Sequence, residues 1–284
     1  MTSSAGAPIA LPRPARPATS GKADEEAEIP TARRLGVAFL EIAAVVGGMG
    51  VLAFRVGARI ATLRVDRAEL MRNLYRMGVK SMPIVVATAL FTGVIMVIQA
   101  APLIERFGAH GLLGWGAGFG TLREVAPLLT ALMINGRVGA NNTAELGTMV
   151  VTEQIDALRV LAIDPLSFLV APRVIAIIVT LLISTIFADT LALLGAAYAG
   201  QGLLGIAPAV FFNGLTSGLI GIGDVLGGLM KSGVFGVVMA LASCQYGLEV
   251  KGGAPGVGRA VNATVVASAA GIFILDYLVS FTLD

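Results

Sequence analysis

The chain has 284 residues, of which 56% are hydrophobic and 13% charged, with a formal net charge of +2 and a mean hydropathy of +0.85. Soluble domains carry about 25% charged residues, so the composition lies well outside the globular range and points to an integral helical membrane protein; no nucleic-acid partner is expected. Cys244 is the only cysteine and His110 the only histidine, which leaves no intrachain disulfide, no cysteine-rich metal site and no His-based triad; no metal ligand is assigned.

Residues 1–32 are rich in Ala, Pro, Ser and charge and lack the continuous apolar core of a secretory signal. They read as a disordered cytoplasmic tail. The stretch 35–56 is long enough to span, but basic clusters flank it on both sides: Arg33 and Arg34 before, Arg55, Arg59, Arg64, Arg67, Arg72, Arg76 and Lys80 after. One crossing would place one cluster outside, against the positive-inside rule. A helix over about 35–60 that lies in the interface, or dips in and returns, keeps both inside.

Spans are expected at about 81–104, 122–146, 166–199, 225–246 and 260–281. The Gly-rich segment before Leu122 reads as an outer loop, with His110 as a loop residue. The uncharged stretch 200–217 reads as an outer loop with a partly inserted helix. The fold class is therefore all-α integral membrane, with five transmembrane helices, an N-terminal interfacial helix and a short cytoplasmic helix. The N-terminus is expected inside and the C-terminus outside.

The second span carries small residues at four-residue spacing in two rows: Gly136, Ala140, Ala144 and Thr148, and Gly139, Thr143 and Gly147. Such rows let another backbone come close, either within one protomer or at a dimer seam. Arg137 and Glu145 are about two turns apart and share a face, which suits an ionic network. Residues 148–163 are too short and too polar to cross. Val151, Ile155, Leu158 and Ala162 form an apolar stripe, while Glu153 and Asp156 project together on one side. The segment is an amphipathic connector with a solvated face, or a docking helix for a cytoplasmic subunit. Asp164–Pro165 should stop it. Arg123–Glu124 suits either a structural ion pair with neighbouring helices or a headgroup contact in a cavity.

The block LREVAPLLTALMINGRVGANNTAELGTMVVTEQIDALRVLAIDPLSFLVAPR, residues 122–173, resembles the signature region of the MlaE/YrbE permease family, the membrane subunits of ABC transporters that work with MCE proteins. The likeness continues through GLMKSGVFGVV (228–238), CQYGLEVKGGAPGVGRA (244–260) and ILDYLVSF (274–281). It covers roughly residues 60–282, within a permease domain over 33–284; Asn141–Asn142 stand where small apolar residues are more usual.

This resemblance implies a pair of permeases, two copies of an ABC ATPase beneath them, and a hexameric MCE-domain protein on the periplasmic side. It implies movement of phospholipid or related lipid between inner and outer membranes, from a multi-pass position in the bacterial inner membrane. By position, Glu153, Gln154, Asp156 and Leu158 fall on the family's coupling helix, and Glu145 at its entrance. Arg123 and Glu124 match the pair beside the lipid pocket, and Arg72 and Arg259 match basic positions at the membrane surface. No GxxxxGK[ST] pattern occurs, so ATP and Mg are expected on the partner ATPase and no catalytic residue is assigned here. The alternative from a different class is an ion-coupled secondary transporter using carboxylates such as Asp189 and Asp276, a type of fold that commonly shows inverted repeats.

Overall fold

The computed structural model describes residues 31–61 and 66–283. The tail expected over 1–32 lies, up to residue 30, outside the described residues. The helices are α1 (Thr31–Ala61), α2 (Arg67–Met77), α3 (Met82–Phe107), α4 (Leu113–Gly120), α5 (Ala126–Ile134), α6 (Ala140–Val151), α7 (Gln154–Val160), α8 (Ala171–Leu204), α9 (Pro208–Leu215), α10 (Ile222–Leu248) and α11 (Gly253–Leu283). One compact unit runs from Gly48 onward, and the described residues before it, 31–47, belong to a separate unit. Among the described residues six helical stretches are long and apolar enough to cross a membrane. Five coincide with the expected spans; the sixth is the 19-residue stretch Ala43–Ala61 of α1, within the segment expected at the interface.

The sequence dictates this all-helical form. In hydrocarbon every backbone N–H and C=O must be satisfied within its own segment, and a helix does so. Side-chain placement is that of a membrane protein. Ile134, Leu146, Ile177, Leu181, Phe235, Met239 and Ile272 are fully buried between helices, while Phe91, Ile98, Phe187, Val266, Phe273 and Tyr277 face outward.

Glycines set the spacing of the central pair, α3 and α8. A Cβ on Gly93 would lie 1.9 Å from the Ala192 carbonyl oxygen, and one on Gly195 would lie 2.5 Å from that of Leu90. The two backbones therefore touch through reciprocal glycines, an arrangement that gains van der Waals contact where lipid offers no hydrophobic drive. Gly93→Ala must push the helices apart and is expected to cost about 2–3 kcal/mol. Gly57→Ala, where nothing lies within 4 Å, should leave the unfolding midpoint in detergent unchanged; equal midpoints for the two variants would refute this packing.

The loop expected before Leu122 is helical instead. Gly-rich sequence breaks helices in water, but here Gly114 lets α4 meet α9: its Cβ would stand 1.9 Å from the Phe211 carbonyl oxygen, and Phe211 is fully buried. The partly inserted helix expected in 200–217 is α9. His110 opens a short 3-10 turn and is exposed. The second span also runs on to Val151, past the expected end at 146.

Three π-helical turns interrupt the spans, at Thr121–Val125, Asn135–Gly139 and Leu166–Val170. Two of them precede the same motif, Ala126–Pro127 and Ala171–Pro172. Proline lacks an N–H and clashes with the carbonyl four residues earlier, so an extra residue in the preceding turn relieves the conflict. The third has no proline; there Asn135 Nδ2 donates to the Val265 carbonyl of α11 at 3.0 Å.

Candidate functional site

The first π turn aims Arg123 and Glu124 at the start of α10 and the end of α11. Arg123 Nη1 lies 3.5 Å from Asp224 Oδ1, and its guanidinium sits 5.3 Å from the centre of the Phe119 ring, within cation–π range. Glu124 is ion-paired with Lys231. Lys231 is 1% exposed, and its Nζ is also 3.3 Å from Asp276 Oδ1 and 2.6 Å from Ser280 Oγ. One buried ammonium thus serves two carboxylates on two other helices. Charges are retained at membrane depth when paired in this way.

Beside this cluster opens a cavity of about 340 Å³, lined by Arg123, Asp224 and Lys231 but also by Leu226 and Met230. Charged and apolar walls face one space, as an amphiphile would require. Sequence reasoning found Arg123 and Glu124 together. It gave Asp224 and Lys231 no role, and it used Asp276 for ion coupling rather than as the partner of Lys231. Asp189, the other carboxylate of that alternative, is buried on α8, with Oδ1 lacking a hydrogen bond among the described residues.

At the opposite end, about 30 Å away along α5 and α6 at 1.5 Å per residue, Glu145 is the hub. It is ion-paired with Arg76 of α2 and lies 3.2 Å from Arg173 Nη1 of α8, and it accepts from Asn141 Nδ2 at 2.7 Å. The expected network therefore exists, but its cations are Arg76 and Arg173; Arg137 lines the neighbouring cavity instead. Asn142 explains its own place: it accepts from Arg173 Nη1 at 2.9 Å and donates to Ser243 Oγ at 2.9 Å. Of the two small-residue rows, Gly139, Thr143 and Gly147 are buried against α10 and α11, with Thr143 Oγ1 2.9 Å from Thr264 Oγ1. Gly136 and Thr148 of the other row are exposed.

The helix expected over 148–163 is broken in two. α6 ends at Val151, and Glu153 takes φ 57°, a left-handed conformation uncommon for a residue with a Cβ. The short α7 then closes with Ala162 at φ 59°, where the N–H of Ile163 bonds to the Leu158 carbonyl and that of Ala162 to Arg159. That is a Schellman closure with alanine in the usual glycine position, and it ends the helix before Asp164–Pro165. The break also scatters the expected stripe: Ile155 is buried and Leu158 half-buried, but Val151 and Ala162 are exposed. Val160 and Leu161 stand 87% and 69% exposed at the helix end.

Glu153, Gln154 and Asp156 are exposed, Asp156 pairing with Arg159 at 2.8 Å. Asp164 pins the exit of this corner. Burial pushes its carboxyl up, but hydrogen bonds from Ser167 Oγ and the Leu166 N–H, with Arg59 Nε at 3.2 Å, outweigh that and hold it below the usual carboxylate range. Arg72 is exposed on α2 and pairs with Glu69 at 3.3 Å; Arg259 is exposed near the start of α11.

Comparisons with known proteins agree along nearly the whole described length. A probable ABC transporter permease protein of Synechocystis is 39% identical over 218 residues, covering 77% of this chain and 82% of the relative. A probable ABC transporter permease protein of Rickettsia felis is 34% identical over 249 residues, covering 88% of this chain and 96% of the relative. The chloroplastic protein TRIGALACTOSYLDIACYLGLYCEROL 1 of Arabidopsis thaliana is 34% identical over 230 residues, covering 81% of this chain and 65% of the relative. The family model described as Permease MlaE matches residues 70–282, a stretch that includes both ion-pair hubs, every π turn and the short helix α7, and the chain belongs to that family.

Proposed function

We propose that this chain is the permease subunit of an ABC transporter that moves phospholipid or a related lipid between inner and outer membranes, with ATP and Mg bound by a separate ATPase. The observation that carries the reading is α7: a short helix outside the spans, with exposed acids at Glu153 and Asp156 and a bare apolar end at Val160 and Leu161. A helix this short gains little from its own hydrogen bonds, and exposed apolar groups rimmed by charge suit a protein partner. Family membership favours this reading over ion-coupled transport through Asp189 and Asp276, and one relative bears the name of a glycerolipid.

In this reading α7 is the coupling helix, with Glu153, Gln154, Asp156 and Leu158 toward the ATPase and Glu145 fixing its entrance. The cavity beside Arg123 and Glu124 takes the lipid, with its cations toward the headgroup and Leu226 and Met230 toward the acyl chains. α1 lies in the interface, Arg72 and Arg259 sit at the cytoplasmic membrane surface, and the N-terminus is inside. Two permeases, two ATPases and a hexameric MCE-domain ring complete the assembly, in the bacterial inner membrane. ATP-driven closure of the ATPase pair would move the coupling helices and reshape the lipid cavity.

Glu153→Lys together with Asp156→Lys tests the docking. Both acids are exposed, and an exposed pair such as Asp156–Arg159 is worth under about 1 kcal/mol, so insertion and unfolding midpoint should hold. Recovery of the co-expressed ATPase on the tagged permease should drop about tenfold or more, as when charges central to an interface are reversed. Unchanged recovery would remove α7 from the interface.

A further inference from the structure

The hub at Glu145 leaves a charge imbalance that ATPase docking does not use. Its cavity, about 330 Å³, is lined by Arg76, Lys80, Arg137, Asn141 and Glu145 among others. Glu145 is the one carboxylate of that lining, and it is already engaged by Arg76, Arg173 and Asn141. Lys80 and Arg137 are exposed to the cavity and make no ion pair among the described residues. Arg76 Nε is buried and finds no acceptor among them. Four cations therefore gather round a single carboxylate, three of them on one cavity wall.

We propose that this cavity is a binding site for a phosphate-bearing anion, held by Arg137, Lys80 and Arg76. The chemistry follows from the donors. A guanidinium offers two parallel N–H groups that match two phosphate oxygens, and a lysine ammonium meets a third as a point charge. The three donors come from different elements: Arg76 from α2, Lys80 from the turn before α3, Arg137 from the π turn between α5 and α6. An anion seated here would tie α2 and the start of α3 to the π turn between α5 and α6. The space exceeds what a bare phosphate fills, so a diester headgroup with its glycerol is accommodated as well as the free ion. The site lies at the other end of the bundle from the cavity at Lys231 and does not depend on the transport reading.

The test uses the full-length protein, purified in a neutral detergent and stripped of lipid. Its unfolding midpoint is followed during titration with short-chain phosphatidylglycerol, with phosphatidylcholine, and with inorganic phosphate. Phosphatidylglycerol should raise the midpoint saturably and phosphatidylcholine much less. Removing two cations worth about 1 kcal/mol each near a membrane surface should weaken that response about thirtyfold in Lys80→Gln/Arg137→Gln. Neither side chain holds a partner among the described residues, so the unliganded midpoint should match wild type; Lys80→Gln alone gives the same direction of change should the double variant express poorly. A response to phosphatidylglycerol without one to inorganic phosphate identifies a lipid headgroup; a response to both, with competition, identifies phosphate from either source. Equal responses in wild type and variant, or no preference for either anion over phosphatidylcholine, would overturn the site.

Discussion

Lys231→Met is expected to lose about 3–5 kcal/mol of stability, because it strips the cation from a buried pair and leaves its partners charged. Lys231 is 1% exposed and faces both Glu124 and Asp276, with Ser280 Oγ as a further neighbour. Without the ammonium, two carboxylates confront each other at membrane depth, and each must be desolvated or protonated. Asp276→Asn should be far milder, since Lys231 keeps Glu124. The triple variant Lys231→Met/Glu124→Gln/Asp276→Asn removes every charge in the cluster and should recover most of the lost stability, because isosteric neutral replacement of a buried ionic group is often close to neutral. Unfolding midpoints in detergent decide this: Lys231→Met melting with wild type would mean the ammonium reaches water. If the cavity takes lipid as proposed, the recovered triple variant should retain less of it than wild type, and equal retention would mean that charge at this site serves folding alone.

How far the sequence speaks for this structure depends on the range of the interaction. Span positions were legible because hydropathy is a local sum over about twenty residues. Partnerships were not: Lys231 and Glu124 are 107 residues apart, and Arg76 and Glu145 are 69 apart. A sequence shows that charges exist inside apolar runs and that burial demands partners, but not which partners. The expected pairing of Arg137 with Glu145 shows this limit. Helical spacing put them on one face, yet two cations from other helices reached the carboxylate.

Local rules also shifted meaning with solvent. Glycines before Leu122 read as a loop by the logic of water, where glycine weakens helices. In an apolar surround the same residues stay helical, and their missing side chains admit α9. Two of the three π turns left a usable trace in the repeated Val–Ala–Pro of residues 125–127 and 170–172. The break at Glu153 left none, since a left-handed glutamate and a left-handed Ala162 stand where glycine or asparagine would have given the signal. A continuous amphipathic helix was the natural expectation, and the shorter α7 with its exposed end was not.

Arg173→Met is expected to be damaging as well, though less so than Lys231→Met. Arg173 is 2% exposed, and its Nη1 reaches Asn142 Oδ1 at 2.9 Å and Glu145 at 3.2 Å. Asn142 in turn donates to Ser243 Oγ, so one guanidinium on α8 organises polar groups from α6 and α10. Its loss leaves the buried Asn142 carbonyl without that donor, at a cost of about 1.5–3 kcal/mol for a charged hydrogen bond. Glu145 does not become an isolated charge, because Arg76 still holds it, and this separates the case from Lys231. The order can be checked by a cycle. Arg76→Gln alone should be modest, since Arg173 remains, whereas Arg76→Gln in the Arg173→Met background should exceed the sum of the single effects, because only then does Glu145 lose both cations. Strict additivity of the two substitutions in the unfolding midpoint would mean that Glu145 is solvated at this end of the bundle and that its two arginines act independently.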